Sequence, residues 1–256
     1  MKEFDEFKEV VATLRHPEKG CPWDLKQTSK SLISGMIEEV YEVAEAVALE
    51  DEKGLKEELG DCLLHVLLQA QIASEQNKFT IQDVISGITA KLIRRHPHIF
   101  GDEVMTDAHD VKMKWEQIKL VEKKERKSVL DGIPDAMPGL IQGQRMQEKA
   151  ASVGFDWTDV EPVFAKIQEE IEEVKAEIIS EDKVKLEAEI GDLFFSVINL
   201  ARKLKIDSET AIKVANRKFS TRFRGVEAEL KKAGVKINER SLEELDIIWE
   251  TIKKTE

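Results

Sequence analysis

Apolar residues recur along this chain every three to four positions, broken by proline, glycine and short polar turns. Phe4, Phe7, Val10, Val11 and Leu14 make one stripe of a helix over residues 3–15, which stops near His16-Pro17. The loop Gly20-Cys21-Pro22-Trp23-Asp24 follows, then a helix from about Ser31 to Leu49 with Leu32, Met36, Val40, Val43 and Val47 on its apolar face. Residues 55–75 predict a strongly apolar helix, and Thr80 is placed to cap another over 81–95 that ends before His96-Pro97. A helix around 108–125 carries Trp115, and residues 126–142, with two prolines and two glycines, predict a linker. Further helices are expected over about 160–179, 184–204 and 208–231. Thr158 with Glu161 and Ser241 with Glu244 have capping-box spacing, and Pro162 suits a first helical turn. No segment alternates with period two, so the fold class is all-α.

Carboxylates break this pattern in a regular way. Glu169, Glu170 and Glu173 lie on one helical run and Glu189 and Asp192 on the next, with the turn Ser180-Glu181-Asp182 between. In an antiparallel hairpin centred on residue 181, Glu170 lies level with Asp192 and Glu173 with Glu189. The spacing i, i+3 puts each pair on one face, so folding gathers four carboxylates about 12 Å from the turn. A solvated acidic face is the ordinary reading of such pairs. Glu189 and Asp192, however, stand among Ile190, Leu193, Phe194 and Phe195, where charge is costly unless compensated.

The pattern also occurs twice. Glu38, Glu39, Glu42, Glu58 and Asp61 precede their counterparts by 131 residues. Trp23 and Trp157, like Trp115 and Trp249, are 134 apart, and Lys91 and Arg95 precede Lys218 and Arg222 by 127. A period this long means duplicated domains. The reading is a first domain over 1–125, a linker over 126–142 and a second domain over 143–256.

Composition narrows the function classes. A net charge of −12 argues against a nucleic-acid surface, yet metal ions can reverse the local sign for a phosphorylated ligand. Two cysteines, Cys21 and Cys62, in unlike surroundings suggest no disulfide framework. The acidic N-terminus is unlike a signal peptide and no apolar run approaches a membrane span, so a cytoplasmic protein with no membrane partner is expected.

Oxygen-only ligand sets suit Mg²⁺ or Mn²⁺ over zinc, and Glu-x-x-Asp in place of Glu-x-x-His disfavours iron. Lys218 and Arg222 lie at i, i+4, and a metal cluster flanked by such cations suits a polyphosphate. Ser196, Asn199 and Lys203 continue the face of Asp192, whereas His65, Leu68 and Ile72 stand at their counterparts. His65 reads as a core-edge histidine, because serine replaces it in the other copy. The pair His109-Asp110, without further histidines in a pattern, reads as a helix-start coincidence.

The EExxE…ExxD signature in both halves, CPWDLKQT at 21–28, GFDW at 154–157 and WExIK closing each repeat resemble the MazG family of nucleoside triphosphate pyrophosphohydrolases. The resemblance covers essentially the whole chain. It implies tandem helical-bundle domains completed by homodimerisation, with Mg²⁺-dependent hydrolysis of NTPs and dNTPs to monophosphate and pyrophosphate. By position it implies metal ligands Glu170, Glu173, Glu189 and Asp192, with equivalents Glu39, Glu42, Glu58 and Asp61. Lys166, Lys185, Leu186, Lys218, Arg222 and Trp249 fall where the family contacts nucleotide, and Glu169, adjacent to the ligand set, is a candidate general base or a group bracing the ligands from outside. Gly35 and Gly54 stand where the second repeat has Lys166 and Lys185, so the second domain is expected to carry most of the activity. The alternatives are a nucleotide-sensing or partner-binding module without turnover, and a narrow pyrophosphohydrolase for dUTP, dCTP or phosphoribosyl-ATP.

Overall fold

A computed structural model describes residues 2–102, 107, 111, 114–115, 118, 122 and 127–255. The described residues are helical with no strand among them, and they fall into two compact units, Met1–Thr106 and Asp107–Glu256. The helix expected over 108–125 falls largely outside the described residues, and so does the His109-Asp110 pair.

The first unit contains α1 (Lys2–Leu14), α2 (Pro22–Lys26), α3 (Ile33–Ala48), α4 (Glu52–Glu75), α5 (Ile81–Arg95) and α6 (Pro97–Phe100). Helices α3 and α4 form the acidic hairpin, and α1 and α5 pack on α4. Val11, Leu32, Leu67, Leu68, Ala70, Ile72 and Ile81 form the core, with Phe4, Phe7, Leu64 and Val66 against it. The second unit contains α7 (Gly139–Ala151), α8 (Glu161–Ser180), α9 (Lys183–Lys203), α10 (Ser208–Lys232) and α11 (Leu242–Lys253), with a 3₁₀ turn at Ile237–Glu239. Here α8 and α9 form the hairpin, α7 packs on α9, and α11 packs on α10. The approach of α7 to α9 depends on Gly143, where a Cβ would stand 3.0 Å from Cδ1 of Ile198. Helix α7 begins at Gly139, within the stretch read as linker, because Pro138 precedes the first turn instead of breaking it.

Both hairpins turn by the same device. Glu50 and Glu181 adopt left-handed φ of 54° and 57°, and the following Asp51 and Asp182 cap the second helix. Asp51 accepts from the backbone N–H groups of Lys53 and Gly54, and Asp182 from those of Val184 and Lys185. Thr80 with Asp83 and Ser241 with Glu244 close full capping boxes.

Two expectations need correction. Thr158 does not cap α8: its hydroxyl donates to Asp159 at 2.9 Å, and Val160 takes the cap position without a side-chain bond. Pro162 lacks one of the N–H groups that such a cap would bind. The apolar stripes of α1 and α3 are also only partly covered, since Val10, Val40 and Val47 stay 49%, 54% and 57% exposed while Ala46 is buried.

Two buried cations, Arg15 and Lys149, and the partly buried Arg202 secure the units in ways no local pattern announced. Arg15 donates through Nε and Nη2 to Glu75 at 2.9 and 2.7 Å, and through Nη1 to the carbonyls of Asp24 and Gln27. It thereby ties the ends of α1 and α4 to α2, so the CPWD segment expected as a loop is helical from Pro22. At the position 134 residues on, Lys149 donates to the carbonyls of Val129 and Asp131 at 2.9 and 3.0 Å. Arg202 forks onto Asp156 at 3.1 and 2.5 Å, holding the GFDW loop to the end of α9.

Candidate active site

The α8–α9 hairpin brings Glu170, Glu173 and Glu189 together so that one oxygen from each lies within 4.8 Å of the others. Glu170 is 3% exposed, accepts from Lys166 at 2.6 Å through Oε1, and leaves Oε2 buried with no partner. A second bond from Lys166 reaches Glu169 at 2.9 Å. These two carboxylates raise the pKa of the ammonium, Glu170 contributing most, so Lys166 stays charged. Desolvation and the neighbouring Glu170 and Glu189 push the carboxyl of Glu173 up, against the opposing pull of Lys166. A divalent cation fits such a set, since it would satisfy the orphaned oxygen of Glu170 and relieve the repulsion.

The α3–α4 hairpin gathers Glu39, Glu58 and Asp61 in the same way. Desolvation, then the neighbouring Glu42, raises the carboxyls of both Glu39 and Glu58, which places Glu42 beside the group. Of the pairs expected to lie level, Glu39 with Asp61, Glu42 with Glu58 and Glu173 with Glu189 are thus brought close. Which three carboxylates sit closest differs, with Asp61 inside the first trio and Asp192 outside the second.

A cavity of about 660 Å³ opens at the second cluster. Lys166, Glu170, Asp192, Ser196 and Asn199 line one part, and Phe155, Trp157 and Phe195 supply aromatic surface. At its edge Asn199 Oδ1 accepts from Nε and Nη2 of Arg202 at 3.0 and 2.8 Å. Burial works against the charge of Asp156, but Arg202 and Lys203 outweigh it and hold the carboxyl below its ordinary range. Lys203 also donates to the Trp157 carbonyl. Of the polar face read from the sequence, Ser196 and Asn199 thus border this space, and Lys203 holds the Trp157 loop beside it. The sequence reading missed Asp156, Phe195 and Arg202. Only the GFDW motif touched on Asp156, and Arg202 meets it through a contact across 46 residues.

The remaining residues sit elsewhere. Lys185 and Leu186 occupy the first turn of α9, where Lys185 stands 3.8 Å from Asp182 and is largely exposed. Lys218 and Arg222 lie on α10, and Arg222 stands 5.9 Å over the ring of Trp249. Trp249 packs on Phe219 with ring centroids 5.3 Å apart, so it has a structural contact whatever else it does. This group is not part of the cavity lining. Among the described residues no helix is long and apolar enough to cross a membrane.

Comparison with known proteins agrees with this duplication. The profile of the MazG nucleotide pyrophosphohydrolase domain matches residues 27–100 and again 159–226. The chain is 42% identical to the nucleoside triphosphate pyrophosphohydrolase of Escherichia coli K12 over 260 aligned positions, covering 100% of this chain and 99% of that protein. It is 46% identical to the nucleoside triphosphate pyrophosphohydrolase/pyrophosphatase MazG of Thermotoga maritima, covering 98% and 95%. A nucleoside triphosphate pyrophosphohydrolase of Mycobacterium tuberculosis is 36% identical across 57% of this chain and 45% of its own length. With two matched domains, two carboxylate hairpins and full-length relatives, the chain belongs to the MazG nucleotide pyrophosphohydrolase family, whose domain it carries twice.

Proposed function

We propose that this protein hydrolyses nucleoside triphosphates, ribo- and deoxyribo- alike, to monophosphate and pyrophosphate with Mg²⁺, chiefly at the second repeat. The observation that carries this reading is Glu170, whose buried and unpartnered Oε2 belongs to a three-carboxylate group at the mouth of an aromatic-lined cavity. When bound, Mg²⁺ (or Mn²⁺) supplies positive charge to the phosphate oxygens and acidifies water. Glu170, Glu173, Glu189 and Asp192 are the residues that would hold it. Lys166 presents its ammonium at the same mouth and neutralises the triphosphate. Glu169, largely exposed, outside the trio and paired with Lys166, is the general base of this reading. Phe155, Trp157 and Phe195 offer stacking surface, which discriminates poorly among bases and supports broad specificity.

Incubation with a panel of NTPs and dNTPs should release monophosphate and pyrophosphate, and chelation of divalent ions should stop it. Orthophosphate and diphosphate as products would sink the proposal. Intact nucleotide binding with no turnover would favour a sensing module, and turnover of a single nucleotide would favour a narrow enzyme.

The same reading includes a homodimer. Phe164, Ile178, Ile179, Val184, Phe194 and Val197 are exposed on the α8–α9 hairpin, more apolar surface than a free helical pair leaves in water. Light scattering should give about twice the 29.1 kDa of one chain, and a monomeric mass would refute the assembly.

A further inference from the structure

We infer that residues 35 and 65 act as one specificity element, in which the Gly35–His65 pair replaces the Lys166–Ser196 pair and denies the first repeat a phosphate-binding cation. This rests on the functional reading above and adds a reason why the two repeats differ. Both members of the first pair stand 131 positions before their counterparts. In the second repeat Lys166 reaches Glu170 at 2.6 Å from the preceding turn of α8. Ser196 lines the same cavity from α9 as a small side chain, its hydroxyl bonded back to the carbonyl of Leu193 at 2.9 Å.

In the first repeat the large side chain comes from the other helix. A Cβ at position 35 would lie 2.8 Å from Cε1 and 3.1 Å from Nε2 of His65, so the imidazole occupies the space through which a lysine would leave α3. His65 Nε2 stands 3.8 Å from Glu39 Oε1, at the counterpart of the Lys166–Glu170 contact, while Nδ1 is buried without a partner. The imidazole is thus a packed ring beside Glu39, with none of the reach or the three donors of an ammonium. Neither single exchange converts one arrangement into the other. Lysine at 35 collides with the ring, and serine at 65 opens space beside a glycine that brings no charge.

The test uses the full chain carrying Glu173→Gln to silence the second repeat, with Gly35→Lys and His65→Ser added singly and together. Melting temperature and Mg²⁺-dependent release of pyrophosphate from a nucleoside triphosphate are both read. The expected result is that Gly35→Lys lowers the melting temperature when His65 is present but not when it is replaced. Only the double exchange should raise turnover above the Glu173→Gln chain, by about tenfold, the worth of one charge-assisted contact. An equal thermal cost of Gly35→Lys in both backgrounds would overturn the coupling. A stable double variant with no gain, or a gain from either single exchange, would overturn the role in specificity. The unmodified chain is assayed alongside, and its inactivity would instead refute the functional reading.

Discussion

Glu173→Gln is expected to lower pyrophosphate release by about a hundredfold or more, whereas Glu42→Gln leaves most of it intact. Glu173 contributes an oxygen to the second trio and stands close enough to Glu170 and Glu189 for their charges to raise its own carboxyl. The amide keeps the shape of the side chain and removes the charge, so a loss of rate without loss of fold reports on charge. Glu42 occupies the matching place in the first repeat, where Gly35 stands in for Lys166. Steady-state product formation by both variants, with melting curves as a control for folding, decides the matter. Equal losses in the two would mean that the repeats contribute alike, and a greater loss in Glu42→Gln would move the main site to the first repeat.

Arg15→Ala is the largest stability effect expected away from the carboxylates. Its guanidinium side chain is 6% exposed and satisfies Glu75 and two backbone carbonyls. Removing one partner of a buried pair is strongly destabilising, but the Glu75 side chain is 35% exposed and water recovers part of the loss. The expected cost is about 2 kcal/mol in denaturant unfolding of the first unit at neutral pH. The effect is also pH dependent. Hydrogen bonds from Arg15, its principal cause, hold the Glu75 carboxyl below the ordinary range. A depressed folded pKa contributes stability above the unfolded value, and that contribution fades as pH falls through the folded one. The stability difference between wild type and Arg15→Ala should therefore narrow in acid below the ordinary glutamate range. A difference that stays constant across that range would mean the pair contributes by packing alone.

Much of the site could be read before any coordinates because its ligands are spaced by helix geometry. The i, i+3 carboxylates share a face by virtue of the helical repeat, and a short turn of known centre sets which residues lie level. Glu50 and Glu181 in left-handed turns, each followed by a capping aspartate, realise that centre in both hairpins. The bridge from Arg202 to Asp156 resisted such reading. Nothing in either residue's neighbourhood selects the other across 46 positions.

The sequence by itself determined the all-α class, the duplication, the helical hairpins, the capping box at Ser241, the cap at Thr80 and the acidic clusters, since each depends on local periodicity or a constant offset. The tertiary structure alone decided which three carboxylates approach most closely and that the GFDW loop borders the cavity. It also decided that Arg15 joins three segments, and that Val10, Val40 and Val47 remain uncovered. These outcomes depend on distances between helices. Such distances follow from the packing of whole side chains, as at Gly143 against Ile198 and Gly35 against His65. Periodicity assigns a residue to a face, whereas the neighbour across that face sets its exposure and its partners.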